Sequence, residues 1–167
     1  MSLVLIICGL PGVGKSTVAR LLAPNIEAAI VSSDEIRKSL FRVPTYRRHE
    51  KRLVYKAMLL VARYLHNANV NCILDATFSR DTARQEVRDT LGLTRDQFRI
   101  IECTCPEDIV MTRLKQRKND FSDADYSIYK MMKRIYEPIK VEHIKIDTQR
   151  LSENEIRRLA SIIIEIK

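Results

Sequence analysis

Apolar and polar positions along the chain fall into blocks with two different periods. Residues 3–8, LVLIIC, make a continuous apolar run of the kind needed by a strand buried on both faces. Residues 14–23 follow with Val18, Leu21 and Leu22 at helical spacing, and Pro24 ends that pattern. Residues 28–32 predict a second strand, after which Ser32 with Glu35 supplies a capping box for a helix reaching about residue 41. Leu53, Ala57, Met58, Val61, Tyr64 and Leu65 recur every three to four residues, which predicts an amphipathic helix over 48–66 with these residues as its apolar stripe. Residues 70–75 predict a third strand, 79–91 a polar helix and 98–103 a fourth strand. Pro106 stands where a helix prefers its first residue, with Ile109, Val110 and Leu114 following, and residues 118–121 predict a loop. Ser122 and Asp125 signal a new helix through Ile128, Met131, Met132 and Ile135 that Pro138 stops. Residues 141–146 predict the last strand, and Ser152 with Glu155 caps a C-terminal helix on Ile156, Leu159, Ala160 and Ile163. Strands alternating with helical blocks imply βαβ units, hence an α/β fold with a parallel sheet and helices on both faces. With no internal repeat or linker-like stretch, one domain over residues 1–167 is expected.

Composition narrows this picture only a little. The 167 residues, 46% hydrophobic and 30% charged, suffice for one core, and no apolar run approaches the ~18–20 residues a membrane span needs. The first residues lack a basic region and a small-residue cleavage site, so the expected location is the cytoplasm, with no membrane partner. Cys8, Cys72 and Cys103 lie in apolar, strand-like segments, and Cys105 is only two positions beyond Cys103, too close for zinc spacing. Neither a metal cluster nor a structural disulfide is expected. The net charge of +8 suits a nucleic-acid surface, a kinase holding a polyanionic nucleotide and an anionic second substrate, or a solvated surface, and charge does not choose among them.

The chemistry enters at GLPGVGKST. Gly9, four residues, then Gly14-Lys15-Ser16 match the Walker A pattern between a predicted strand and a predicted helix. In that context backbone N–H groups and the helix N-terminus surround phosphates, and glycines at 9, 12 and 14 let the backbone approach closely. The nucleotide-binding residues read from the stretch are Gly9, Leu10, Pro11, Gly12, Val13, Gly14, Lys15, Ser16 and Thr17. Lys15 is expected to bridge the β- and γ-phosphates of a nucleotide triphosphate, and the Ser16 hydroxyl to hold Mg²⁺. Asp75 ends an apolar run as a second acid beside the metal would, but Ala76 follows it where mechanical ATPases carry glutamate. No Asn-Lys-x-Asp guanine signature is present, and the only Asp-x-x-Gly, at 89–92, closes a helix. Small kinases are therefore the better class.

Two further stretches suggest where the phosphate goes. In VSSDEIRKSL, Asp34 lies just past the second predicted strand, on the carboxyl edge of the sheet where ligands bind in open α/β folds. An acid there accepts the proton of an acceptor hydroxyl in line with the γ-phosphate, and Arg37, one turn later, reaches the same acceptor. In MTRLKQRKND, Arg113 and Arg117 are four apart on one helical face, suited to the charge on a transferring phosphoryl group. A lid over about 113–125 would bring them in on closure.

Together GLPGVGKST, SSDEIRKSLF, LDATFSRDTARQEVR, CPEDIVMTRLKQR and SDADYSIYKMMKRIYEP resemble the small P-loop kinases of the AAA_33 or zeta-toxin-like group. That group includes predicted archaeal and bacterial kinases, polynucleotide 5′-hydroxyl kinase domains and archaeal L-seryl-tRNA(Sec) kinase. The resemblance spans nearly the whole chain. It implies a three-layer, adenylate-kinase-like core with a five-stranded parallel sheet, ATP and Mg²⁺ as cofactors, Asp34 as general base, Arg37 as an acceptor contact, Arg113 and Arg117 as lid arginines and Asp75 as the acid beside Mg²⁺.

The acceptor is expected against residues 41–49 together with Thr77, Arg80 and residues up to 84. Arg42, Arg47, Arg48, Lys51 and Arg52 form a basic tract there, with Tyr46 beside it as a stacking surface. Such a combination suits the 5′-hydroxyl end of RNA or DNA, and a small-molecule alcohol stays open beside it. The alternative to a kinase is a nucleotide-dependent switch or nucleic-acid-binding ATPase, supported by the phosphate loop, Asp75 and the basic charge. His49, His66 and His143 show no ligand spacing.

Overall fold

The computed structural model describes residues 2–116 and 125–165. Five strands, β1 (Val4–Cys8), β2 (Ala28–Ser32), β3 (Asn71–Asp75), β4 (Phe98–Thr104) and β5 (Ile144–Asp147), form one sheet in the order β2-β3-β1-β4-β5. Every neighbouring pair is parallel. The five residues of β1 are all buried, as its unbroken apolar run requires of a central strand covered on both faces.

The pleat sends alternate β1 side chains into two cores. Leu5 and Ile7 join Val18, Leu22, Val110, Ile156 and Ile163 on one face. That layer is made by α1 (Lys15–Leu22), α5 (Glu107–Gln116) and α7 (Glu153–Glu165). Val4, Ile6 and Cys8 join Met58, Ala62, Leu74 and Val87 on the other, under α3 (Arg48–Asn67) and α4 (Asp81–Leu91). The result is the expected three-layer α/β arrangement. Two helices frame the carboxyl edge of the sheet, α2 (Ser33–Leu40) after β2 and α6 (Tyr126–Ile135) before β5. The α2 start is capped by Ser32, whose hydroxyl oxygen accepts the Glu35 N–H at 3.4 Å, and the α6 start by Asp125, whose carboxylate accepts the Ile128 N–H at 2.9 Å.

Three expectations shift. The long helix is α3, but its core face is Val54, Met58, Leu59 and Ala62, whereas Leu53, Val61 and Tyr64 are 50%, 42% and 71% exposed. The helix carries two apolar stripes one residue out of phase, and periodicity by itself does not say which one meets the sheet. The helix expected from residue 79 begins at Asp81, because the Ser79 carbonyl accepts the Glu137 N–H at 2.8 Å and holds that segment as a loop. The last strand begins at Ile144 rather than 141, since its partner offers a register only from Ile101↔Ile144 onward. Cys8, Cys72 and Cys103 sit in β1, β3 and β4 as expected, and burial pushes their thiols up to about 11, 12 and 12.

Candidate active site

The strand order sets the site. Because β2, β3 and β1 are adjacent and parallel, their carboxyl ends deliver Asp34, Asp75 and the phosphate loop to one edge. Gly9 leaves β1 with φ 139, and a Cβ there would stand 2.4 Å from the Cys103 carbonyl oxygen of β4. Only glycine permits that turn against the neighbouring strand. The Gly9 N–H donates to the Thr77 carbonyl at 3.3 Å, tying the loop to the end of β3. Gly14, left-handed at φ 94, opens α1, so Lys15 starts the helix and the dipole's positive end faces the loop.

Lys15 Nζ donates to the Leu10 carbonyl at 2.9 Å and so arches over the loop. The Ser16 hydroxyl donates to Asp75 Oδ2 at 2.5 Å. Asp75 is 5% exposed, paired in register with Ile7 and Ser32. A hydroxyl and a carboxylate in contact at the foot of a phosphate loop form a hard-oxygen pair, the donor chemistry that fits Mg²⁺.

A cavity of about 270 Å³ opens above these residues. Lys15, Ser16 and Asp75 lie at its base, with Thr17 and Thr77 beside them. Asp34, half-buried on α2, lines it together with Arg37 and Tyr46. Ile128, Met131 and Met132 of α6 contribute an apolar part of the lining. Lys51 and Tyr55 of α3 complete this part of the lining. Burial, then the charges of Arg80 and Arg37, push the Lys51 ammonium down, and burial raises the Tyr55 hydroxyl to about 12.

The sequence-predicted residues divide accordingly. Gly12, Gly14, Lys15, Ser16, Asp34, Arg37, Asp75 and Thr77 meet at the cavity, while Arg80 is exposed and outside its lining. Arg37, expected as an acceptor contact, is 6% exposed and commits Nη1 to Glu50 at 2.6 Å, so its charge is balanced within the wall. Arg113 also lies outside the lining: its guanidinium donates to the Thr148 hydroxyl at 2.9 Å and carbonyl at 3.0 Å, and the Thr148 hydroxyl donates to the Val13 carbonyl at 2.5 Å. It braces the phosphate loop from behind. Arg117, and the expected lid apart from its two ends, fall outside the described residues.

Sequence reasoning missed two buried charges. Glu50 is 1% exposed, and its only signal was being the lone acid in the RRHEKR tract. Arg84, also 1% exposed, donates to the carbonyls of Phe78, Glu137 and Pro138 at 2.8, 2.9 and 3.3 Å. The Asp81 N–H in turn donates to the Glu137 carboxylate at 2.7 Å. The TFSRD and YEP stretches are thus two halves of one joint, which pins the end of α6 to the loop after β3. Within that loop Phe78 is left-handed at φ 44 and its N–H donates to the Tyr55 hydroxyl at 3.3 Å.

The family model AAA_33, described as an AAA domain, matches residues 4–139. An uncharacterized protein of Mycobacterium tuberculosis (strain ATCC 25618 / H37Rv) is 29% identical over 132 residues, covering 72% of this chain and 26% of that protein. The chain thus spans about a quarter of the length of the curated relatives it matches. Among solved structures, a sugar kinase from Janibacter sp. HTCC2649 superposes with TM-score 0.75 at 14% identity, covering 99% of this chain and 96% of that one. The Mycobacterium tuberculosis APS kinase in complex with AMPPNP and APS gives 0.71 at 18% identity, with 99% and 96% covered. A gluconokinase from Sinorhizobium meliloti 1021 gives 0.68 at 14% identity, with 98% and 91% covered. These likenesses establish the fold.

Proposed function

The chain belongs to the AAA_33 family, and on that premise we propose that it is a nucleotide-dependent kinase moving the γ-phosphoryl group of ATP to an acceptor hydroxyl. The observation that carries the reading is that Asp34 lines the same 270 Å³ cavity as Lys15, Ser16 and Asp75. The position after Asp75, where mechanical ATPases carry the glutamate that activates water, is Ala76, so the second acid at the cavity is Asp34 from α2, beside the acceptor stretch. The sugar kinase, gluconokinase and APS kinase that share the fold support the same class.

In this reading the backbone of residues 9–14 and the start of α1 cradle the phosphates, and Lys15 leaves the Leu10 carbonyl to pair with the β- and γ-phosphate oxygens. Ser16 and Asp75 would hold Mg²⁺, whose charge offsets that of the β- and γ-phosphates when bound. Asp34 accepts the acceptor's proton as the new O–P bond forms and the bond to the β-phosphate oxygen breaks. Arg37 and Tyr46 hold the acceptor on one side, Met131 and Met132 on the other. Arg113 holds the loop in place through Thr148, and Arg117 steadies the transferring group from the lid.

The test is Asp34→Asn. Transfer of labelled γ-phosphate, screened against nucleosides, 5′-hydroxyl RNA and DNA, Ser-tRNA, sugars and antibiotic alcohols, should fall by roughly 10²–10⁴-fold with ATP binding retained. Unchanged ATP turnover in this variant would remove Asp34 from catalysis and favour the ATPase alternative. A polynucleotide acceptor draws support from Arg42, Arg47, Arg48 and Arg52, all exposed around Tyr46. Oligonucleotide binding that weakens steeply with salt, and uniformly on Arg47→Ala, would favour it; no such binding would point to a small alcohol.

A further inference from the structure

Four donors converge on the Glu50 carboxylate. They are Arg37 Nη1 at 2.6 Å, the Thr45 N–H at 2.7 Å, the Thr45 hydroxyl at 2.7 Å and the Tyr46 N–H at 3.2 Å. Burial by itself would push this carboxyl up, but the donors more than offset it and hold it at about 2, so Glu50 is an anion whenever the protein is folded near neutrality. Three of the donors belong to residues 45 and 46, and Tyr46 is left-handed at φ 56, a conformation a bulky residue keeps only when its surroundings impose it. The Arg37 guanidinium lies 4.8 Å from the centre of the Tyr46 ring. Arg37 and Tyr46 line the cavity, and Glu50 does not. Arg37 is also three positions from Asp34 on α2, so the same carboxylate joins the helix carrying Asp34 to the first turn of α3.

We propose that Glu50 is a positioning residue for the acceptor: from behind the cavity it fixes the wall made by Arg37 and Tyr46, so acceptor affinity depends on it and nucleotide affinity does not. This rests on the kinase reading above. The nucleotide side shares none of the Glu50 hydrogen bonds, since Lys15, Ser16 and Asp75 are held by Leu10 and by one another. Loss of the carboxylate releases the strained backbone at Tyr46 and deprives Arg37 of its buried ion-pair partner.

The experiment uses Glu50→Gln, which keeps the shape and removes the charge, with gluconate, adenosine and a 5′-hydroxyl RNA tetranucleotide as acceptors for γ-labelled ATP. For whichever of these is phosphorylated, its KM should rise about tenfold or more while the KM for ATP and kcat stay within about twofold. Trypsin cleavage after Arg47 in the native protein should become several-fold faster, with cleavage elsewhere unchanged. Should Glu50→Gln fail to fold, Tyr46→Gly, which accepts the left-handed backbone and deletes the ring, should give the same acceptor-specific rise in KM. The proposal is overturned if acceptor and ATP KM rise together, if acceptor KM is unchanged, or if the tryptic rates match. If none of the three acceptors is phosphorylated, the kinase reading is decided by the wider acceptor screen above, and the tryptic rates decide by themselves whether Glu50 fixes the wall.

Discussion

On the nucleotide side of the cavity, nine consecutive residues, the loop 9–14 after β1 and the first three positions of α1, supply most of the groups, joined by Asp75 and Thr77 at the end of β3 and by the brace through Thr148. Elsewhere in the lining Asp34 and Arg37 come from α2, Tyr46 from the loop after it, Lys51 from α3, and Met131 from α6, with Glu50 behind them. The first side is a local solution to a general problem, the binding of a triphosphate, and its geometry follows from glycine conformations and a helix N-terminus. The second is a tertiary solution. Glu50 and Arg84 tie its separate elements together, so its shape depends on contacts that the first does not share.

That contrast can be tested most forcefully at Lys15. Lys15→Ala should lower kcat/KM for ATP by roughly 10²–10³-fold, with little effect on acceptor KM, in kinetics with each substrate varied in turn. An equal rise in acceptor KM would mean that the two sides are not separable.

Arg84→Leu comes next in size. It removes three charge-assisted hydrogen bonds and leaves the buried Phe78 carbonyl without this donor, so a loss of about 3 kcal/mol is expected, read as a melting temperature lower by roughly 6–12 °C. A melting temperature unchanged within error would show that the joint between α6 and the loop after β3 contributes nothing to stability.

Glu50 should leave a signature in acid. Its carboxyl sits at about 2 in the folded chain against an ordinary 4.5, so the unfolded chain takes up this proton more readily. The stabilisation is complete above about pH 4.5 and is lost as the pH falls toward 2. Urea midpoints measured at about pH 5 and about pH 3 should therefore differ less in Glu50→Gln than in the parent protein, and equal slopes would contradict the assignment. The smallest effect is expected at Tyr64. Tyr64→Ser on the exposed stripe of α3 should change stability by less than about 0.5 kcal/mol, whereas a core position there would cost several.

The same division explains how much could be read beforehand. The order of strands and helices, the parallel sheet and the phosphate loop all follow from short-range regularities: an apolar run, a helical period, a cap, a glycine spacing. The strand bounds of β2 and the starts of α2 and α3 match the expectation because their signals lie within a few residues of one another. What periodicity could not give was the buried face of α3, since Leu53 and Val54 begin equally regular stripes. Nor could it give the partner of Arg37. Glu50 is 13 residues away inside a basic tract, and nothing local distinguishes a solvated Glu from one that collects four donors. Arg84 and Glu137 are 53 positions apart, so their meeting depends on the finished fold.

The hydroxyl of Thr148 has one hydrogen and two lone pairs. It lies 2.5 Å from the Val13 carbonyl, 3.3 Å from the Thr104 carbonyl and 2.9 Å from the donating Arg113 Nη1, all within a position that is 4% exposed. It therefore acts both ways at once: the proton goes to the nearer carbonyl, and a lone pair takes the guanidinium. Serine preserves that arithmetic. Valine, nearly the same shape, removes a donor and an acceptor in one step, leaving a phosphate-loop carbonyl and an arginine N–H each without its partner, so at this position chemical identity constrains the chain more tightly than volume does.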